Sequence, residues 1–128
     1  MYAPNRYRQH EASTASPATL LVMLFDGAVR FVRQAAETLE AGNAPGATAK
    51  VGRAVDILEA LQATLRPEHA PELAETLAQT YALWSAELVR AAAHRDAGRL
   101  RELADAIQTL RDGWDEAGHG PRRAGGAA

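Results

Sequence analysis

The 128-residue sequence contains no cysteine. That excludes a disulfide framework and a thiolate metal site, and it fits a reducing cytosol. Aromatic residues are also scarce, at 5% against 47% for all apolar residues, many of them alanine. With few aromatic and β-branched side chains, the composition favours close-packed helices over a sheet. No apolar run reaches the roughly 18 residues of a membrane span. The opening Met1-Tyr2-Ala3-Pro4-Asn5-Arg6-Tyr7 is too polar to read as a secretory signal. Formal net charge is −2, so no global basic field draws in nucleic acid. Lys50 is the only lysine, an imbalance that reads as genome composition rather than arginine chemistry.

Motifs that carry catalysis are missing as well. There is no phosphate-binding glycine loop and no His-Glu-x-x-His pair. Di-metal bundles need two Glu-x-x-His motifs, and only Glu116-Ala117-Gly118-His119 is present. The expectation is therefore no catalytic residue, no metal and no cofactor. His10, His69, His94 and His119 are scattered along the chain. His94, beside Ala91, Ala92, Ala93 and Arg95, is the one residue compatible with a different class, a histidine phosphotransfer domain. A generic helical adaptor is a further alternative.

What the sequence does contain is helical punctuation. Ser16-Pro17 reads as a cap followed by a first-turn proline. From there Leu21, Leu24, Ala28, Phe31, Ala35 and Leu39 recur at three- and four-residue steps, predicting a helix from Pro17 to Ala41 with Gly42 past its end. Gly27 interrupts this stripe at a cost of about 1 kcal/mol, for close helix packing or for ligand approach. Asn43-Ala44-Pro45-Gly46 reads as a turn. A second helix is expected over 47–65, with Val51, Ala54, Leu58, Leu61 and Leu65 as its stripe and Val55 and Ile57 widening it. Pro67 stops it. Pro71 opens a third, carrying Leu73, Leu77, Tyr81 or Thr80, Trp84, Leu88 and Ala91. Asp96 caps a fourth, carrying Leu100, Leu103, Ile107, Leu110 and Trp114 and ending at Gly118.

Four amphipathic helices on short links predict an all-α, antiparallel up-down four-helix bundle. Residues 1–15 would be an N-terminal arm or short cap helix, 16–117 the bundle, and 118–128 a disordered tail. Glu37 with Glu40, Asp56 with Glu59, and Glu72 with Glu75 read as solvated faces. Arg99, Arg101, Glu102 and Asp105 read as weakly interacting charges along the fourth helix. Phe31, Trp114 and the leucines read as core.

Several segments, in order, resemble the FliS flagellar secretion chaperone family. Ser16-Pro17 leading to Met23-Leu24-Phe25-Asp26-Gly27-Ala28 resembles its first helix. Met1-Tyr2 with Tyr7 resembles its N-terminal arm. Arg53-Ala54-Val55-Asp56-Ile57-Leu58 is similar to its second helix, and Leu110-Arg111-Asp112-Gly113-Trp114 to its closing motif. Around Tyr81 the chain departs from the pattern, with Tyr81-Ala82-Leu83-Trp84 and then Ala86-Glu87. The resemblance implies a cytoplasmic export chaperone that binds flagellin's disordered C-terminal segment as helical pieces in apolar grooves. It would prevent premature polymerisation and present flagellin to an export-gate membrane protein of the type III apparatus, without nucleic acid or membrane insertion. The flagellin contacts it implies are Tyr2, Tyr7, Asp26, Gly27, Arg53, Ile57, Leu61 and Tyr81, with the arm packing on the empty bundle. Ile57, at the edge of its stripe, would be partly available to a groove.

Overall fold

The computed structural model describes residues 16–127, with side chains from 16 to 114. Tyr2, Tyr7 and the rest of the arm lie outside the described residues. The described residues form four helices: α1 (Pro17–Glu40), α2 (Ala44–Ala63), α3 (Pro71–Ala93) and α4 (Ala97–Ala127).

Their boundaries follow from caps. The Ser16 hydroxyl accepts the Thr19 N–H at 3.1 Å and Pro17 takes the first turn, as the sequence suggests. At the other end of α1 the Asn43 N–H donates to Thr38 O and the Gly42 N–H to Leu39 O, both at 3.0 Å. That is a Schellman motif, and Gly42 supplies the positive φ of 86° that it requires. Residues 43–46 are not a free turn. Asn43 Oδ1 accepts the Gly46 N–H at 2.9 Å and caps α2, so the helix begins three residues before the expected start. Proline is harmless there because first-turn N–H groups have no intrahelical partner. Leu65 falls two residues past the end of α2. Asp96 caps α4 as anticipated, its Oδ1 accepting the Arg99 N–H at 2.9 Å. α4 continues through Gly118 to Ala127, so no helix end marks the expected boundary. One glycine costs a helix only about 1 kcal/mol against alanine and does not by itself stop it.

The helices pack in a ring, α1 on α2, α2 on α3, α3 on α4 and α4 back on α1. Three ion pairs fix the sense of the α1–α4 seam. Asp26 meets Arg111, Arg33 meets Asp105, and Glu40 meets Arg101. Rising numbers on α1 pair with falling numbers on α4, so the two run antiparallel. Arg101 and Asp105 therefore reach across to α1 rather than along α4. Arg99 does both, bonding Glu102 at 3.0 Å and Glu87 of α3 at 3.1 Å.

The core lies inside this ring and holds no buried polar or charged residue among those described. α1 differs from expectation. Its fully buried residues are Phe25, Ala28, Val29, Val32, Ala35 and Ala36, while Leu21, Leu24, Phe31 and Leu39 are only partly covered. The reason is that α2 and α4 both cover α1, so its buried sector is wider than a single stripe. On α3, Ala74 is buried where Leu73 was expected, and Leu73 stands half exposed. The Phe25 ring of α1 reaches Tyr81 of α3 at 6.3 Å between centroids, and Tyr81 reaches Trp84 at 6.2 Å. These rings fill the diagonal of the bundle, where the backbones of α1 and α3 do not approach.

A second Schellman motif joins α3 to α4, with the Asp96 N–H donating to Ala91 O and the Arg95 N–H to Ala92 O. Here the left-handed position is held by Arg95, at φ 54°. A side chain with a Cβ pays about 1–2 kcal/mol in that region. Arg95→Gly should accordingly raise the unfolding free energy by about 1 kcal/mol, read from urea denaturation. Phe25→Ala should lower it by about 3–5 kcal/mol in the same assay, because nothing else spans the diagonal at that level.

Candidate functional site: an apolar groove and a cationic seam

The two ends of the bundle are built differently. At one end, three-residue links with Schellman geometry close the bundle tightly. At the other, the longer segment 64–70 leaves an apolar groove of about 570 Å3. Its walls are Pro17, Leu20, Leu21 and Leu24 of α1, the end of α2 with Leu65, and Leu73, Ala74 and Leu77 of α3. Tyr81 and Trp114 also line it, and His69 and Arg66 sit on the connecting segment. Leu20 and Leu73 are about half exposed, at 50% and 52%. Sequence reasoning assigned these leucines to the core. Periodicity identifies the apolar side of a helix but not where that side outruns its neighbours. The available signal was the proline-containing connection at 64–70, too long for a tight antiparallel turn.

The residues singled out from the sequence fall into different environments. Gly27 is buried against α2. A Cβ added there would stand 3.1 Å from Ile57 Cδ1, so the glycine serves close helix packing. Ile57 itself is partly buried and packed on the core. Asp26 makes a forked pair with Arg111, Nε to Oδ1 at 2.8 Å and Nη2 to Oδ2 at 3.5 Å. Leu61 and Tyr81 are core residues, 0% and 2% exposed, with Tyr81 at the inner edge of the groove. Arg53 is exposed, with its guanidinium 5.3 Å from the Phe31 ring centroid. The structure thus joins Gly27 with Ile57 and sets Arg53 along the same α1–α2 seam, but it does not gather the set into one surface.

His94 is exposed at the C-cap of α3. That position lacks the mid-helix setting a phosphotransfer histidine needs. No group of metal-ligating side chains occurs among the described residues.

The phenol of Tyr81 has its pKa raised, chiefly by burial, and the Trp114 side chain offsets the rise in part. Trp114 Nε1 is itself buried with no hydrogen bond of ordinary geometry. The floor of the groove therefore carries an indole donor without a well-placed acceptor.

All-helical, with its core closed at one end and grooved at the other, the molecule belongs to the class of four-helix bundle proteins. Comparison with known proteins narrows this. The family model for the flagellar protein FliS matches residues 1–121, and the chain belongs to that family. It is 30% identical to the flagellar secretion chaperone FliS of Bacillus subtilis, over 87% of this chain and 82% of the relative. It is 29% identical to the flagellar secretion chaperone FliSB of Pseudomonas aeruginosa, over 93% of this chain and 100% of the relative. Against the flagellar secretion chaperone FliS of Salmonella typhimurium, identity is 29% over 80% of this chain and 77% of the relative.

Two outcomes follow from the packing. Gly27→Val should destabilise the fold by about 2 kcal/mol or more, since branched carbons there displace Ile57 and wedge α1 from α2; thermal unfolding would show it. The raised pKa of Tyr81 carries a definite sign. A group whose folded pKa lies above its unfolded value favours the fold fully below the unfolded pKa. Stability should therefore hold up to about pH 10 and fall as pH rises further. Tyr81→Phe should flatten that alkaline limb in denaturation curves taken at several pH values.

Proposed function

We propose that this chain is a cytoplasmic export chaperone for flagellin. It binds the C-terminal segment of flagellin, keeps it from polymerising prematurely, and presents it to an export-gate membrane protein of the flagellar type III apparatus. The carrying observation is the apolar groove at one end of an otherwise closed bundle. Amphipathic segments bury apolar anchors in such a groove, and no nucleotide, metal or catalytic group is required. Membership of the family supports the choice of client. No helix among the described residues is long and apolar enough to cross a membrane, which suits a protein that meets the gate from outside the bilayer.

The arm has a place in this reading. Residues 1–15 join the bundle at Ser16, and Pro17 already lines the groove. Tyr2 and Tyr7 would occupy the groove while flagellin is absent and yield to it on binding. Gly27, Arg53 and Ile57 belong to the proposed contact region along α1 and α2, and Asp26, held by Arg111, borders it on the α4 side. Leu61 and Tyr81 support it from beneath.

Co-expression with the host's flagellin tests the reading. An equimolar complex should co-purify with intact flagellin and be lost with flagellin that lacks its C-terminal helix. Leu20→Asp with Leu73→Asp should weaken the complex at least about tenfold, as expected for charges placed in an apolar contact, while circular dichroism stays unchanged. Undiminished binding of the truncated flagellin would sink the proposal.

A further inference from the structure

The two flanks of α1 treat charge in opposite ways. Toward α4, each of Arg33, Arg101 and Arg111 has a carboxylate partner on the facing helix. Toward α2, three cations crowd a single aromatic ring. Arg30, Lys50 and Arg53 place their charged groups 5.4, 5.7 and 5.3 Å from the centroid of Phe31. None of the three has an ion pair with a described carboxylate. Asp26, the nearest acid on α1 in sequence, is held by Arg111, and Asp56 on α2 is exposed without an ion pair among the described residues.

Such an arrangement is mildly unfavourable until something answers it. Three like charges repel, and the quadrupole of the Phe31 ring compensates only in part. Arg30 and Arg53 are exposed, so the ring restrains their heads without burying them. Two planar guanidinium forks and one ammonium, restrained around a common centre, suit a carboxylate entering between them. Beside them Phe31, Val55 and Ile57 are partly buried hydrophobics on the same pair of helices, available to apolar neighbours of that carboxylate.

We propose that Arg30, Lys50 and Arg53, gathered on the Phe31 ring, form a receptor for an acidic side chain carried by a helical segment of the exported partner. This rests on the proposed function and adds to it the chemistry that the α1–α2 seam reads. Charge around the patch selects the occupant. Glu37 on α1 and Asp56 and Glu59 on α2 are exposed along the same helices, and the whole chain carries −2. A nucleic acid or an anionic bilayer presents charge continuously and meets these acids as well as the cations. A peptide with one or two carboxylates meets only the cations.

The test uses the full chain and two synthetic amphipathic peptides of about 20 residues with the same leucine stripe. One carries two glutamates a helical turn apart, and its twin carries glutamines. Calorimetry should show the glutamate peptide binding at least about fivefold more tightly than the twin, with the advantage shrinking as salt is added. The triple variant R30Q/K50Q/R53Q should lose that advantage and keep the twin's affinity, while R90Q, an exposed arginine on α3, keeps both. In parallel, the triple variant should bind intact flagellin at least about tenfold more weakly than the unmodified chain. Equal affinity for the two peptides, binding of neither, or a preference surviving the triple substitution overturns the proposal. So does tighter binding of duplex DNA or phosphatidylserine vesicles than of the glutamate peptide. If the unmodified chain ignores flagellin yet prefers the glutamate peptide, the choice of client fails and the acidic receptor stands.

Discussion

Because the buried sector of α1 is wider than one stripe, a single neighbour cannot cover it, and the rest of the bundle follows from having two. Phe25 and Val32 are both fully covered, and α2 and α4 both pack on α1. The two closures use different means. Against α2, Gly27 lets the helices approach until Ile57 fills the space a side chain would take. Against α4, ion pairs run in reverse order along the seam. Exposed pairs of this kind contribute about 0–1 kcal/mol each, whereas a buried leucine or phenylalanine contributes about 1.5–3 kcal/mol. Apolar burial therefore supplies the stability, and the ion pairs specify which register α4 adopts. Across the diagonal, α3 meets α1 through the rings of Phe25 and Tyr81.

That design leaves one end open. Short links with left-handed caps at Gly42 and Arg95 draw the helices together at the closed end. At the other end a longer connection leaves apolar walls uncovered. A core free of buried polar groups can tolerate this. A partner's apolar side chains entering the groove exchange water for hydrocarbon and disturb no internal hydrogen bond. The exceptions among the described residues are Gln34 Oε1 and the Trp114 indole N–H, and Trp114, which lines the groove, can donate to an acceptor that enters there.

Much of this was legible in the residues, and the failures share a cause. Four helices, their caps at Ser16 and Asp96, the stop at Gly42, and the exposed acids of α1, α2 and α3 all follow from local rules. Local rules give the apolar side of each helix in isolation. They do not say how many neighbours share it, so Phe25 and Val29 were missed while Phe31 was placed in the core. They do not say where a helix ends relative to the others, so Leu20 and Leu73 were not recognised as groove walls. Likeness to a family transfers positions and not depth, which packing sets, with Leu61 and Tyr81 lying beneath the surface. The amide of Asn43 suits both a turn and a cap, and only the bond to Gly46 decides between them. The arm with Tyr2 and Tyr7 lies outside the described residues.

The small net charge of the chain conceals a division of labour. Averaged over the sequence, acids and bases nearly cancel and suggest a neutral surface. Resolved by helix face, the cancellation among the described residues is local on the α1–α4 side and absent at the Phe31 ring. A helix face whose charges are mutually satisfied gains little from a newcomer, because any new pair must first break an old one. A face whose cations are held together without partners gains from the first carboxylate to arrive, and loses only the water around it. The groove and the seam therefore ask different things of a bound segment, apolar anchors at one and negative charge at the other. A segment that meets both demands at the right spacing is distinguished from the many amphipathic helices that meet only one.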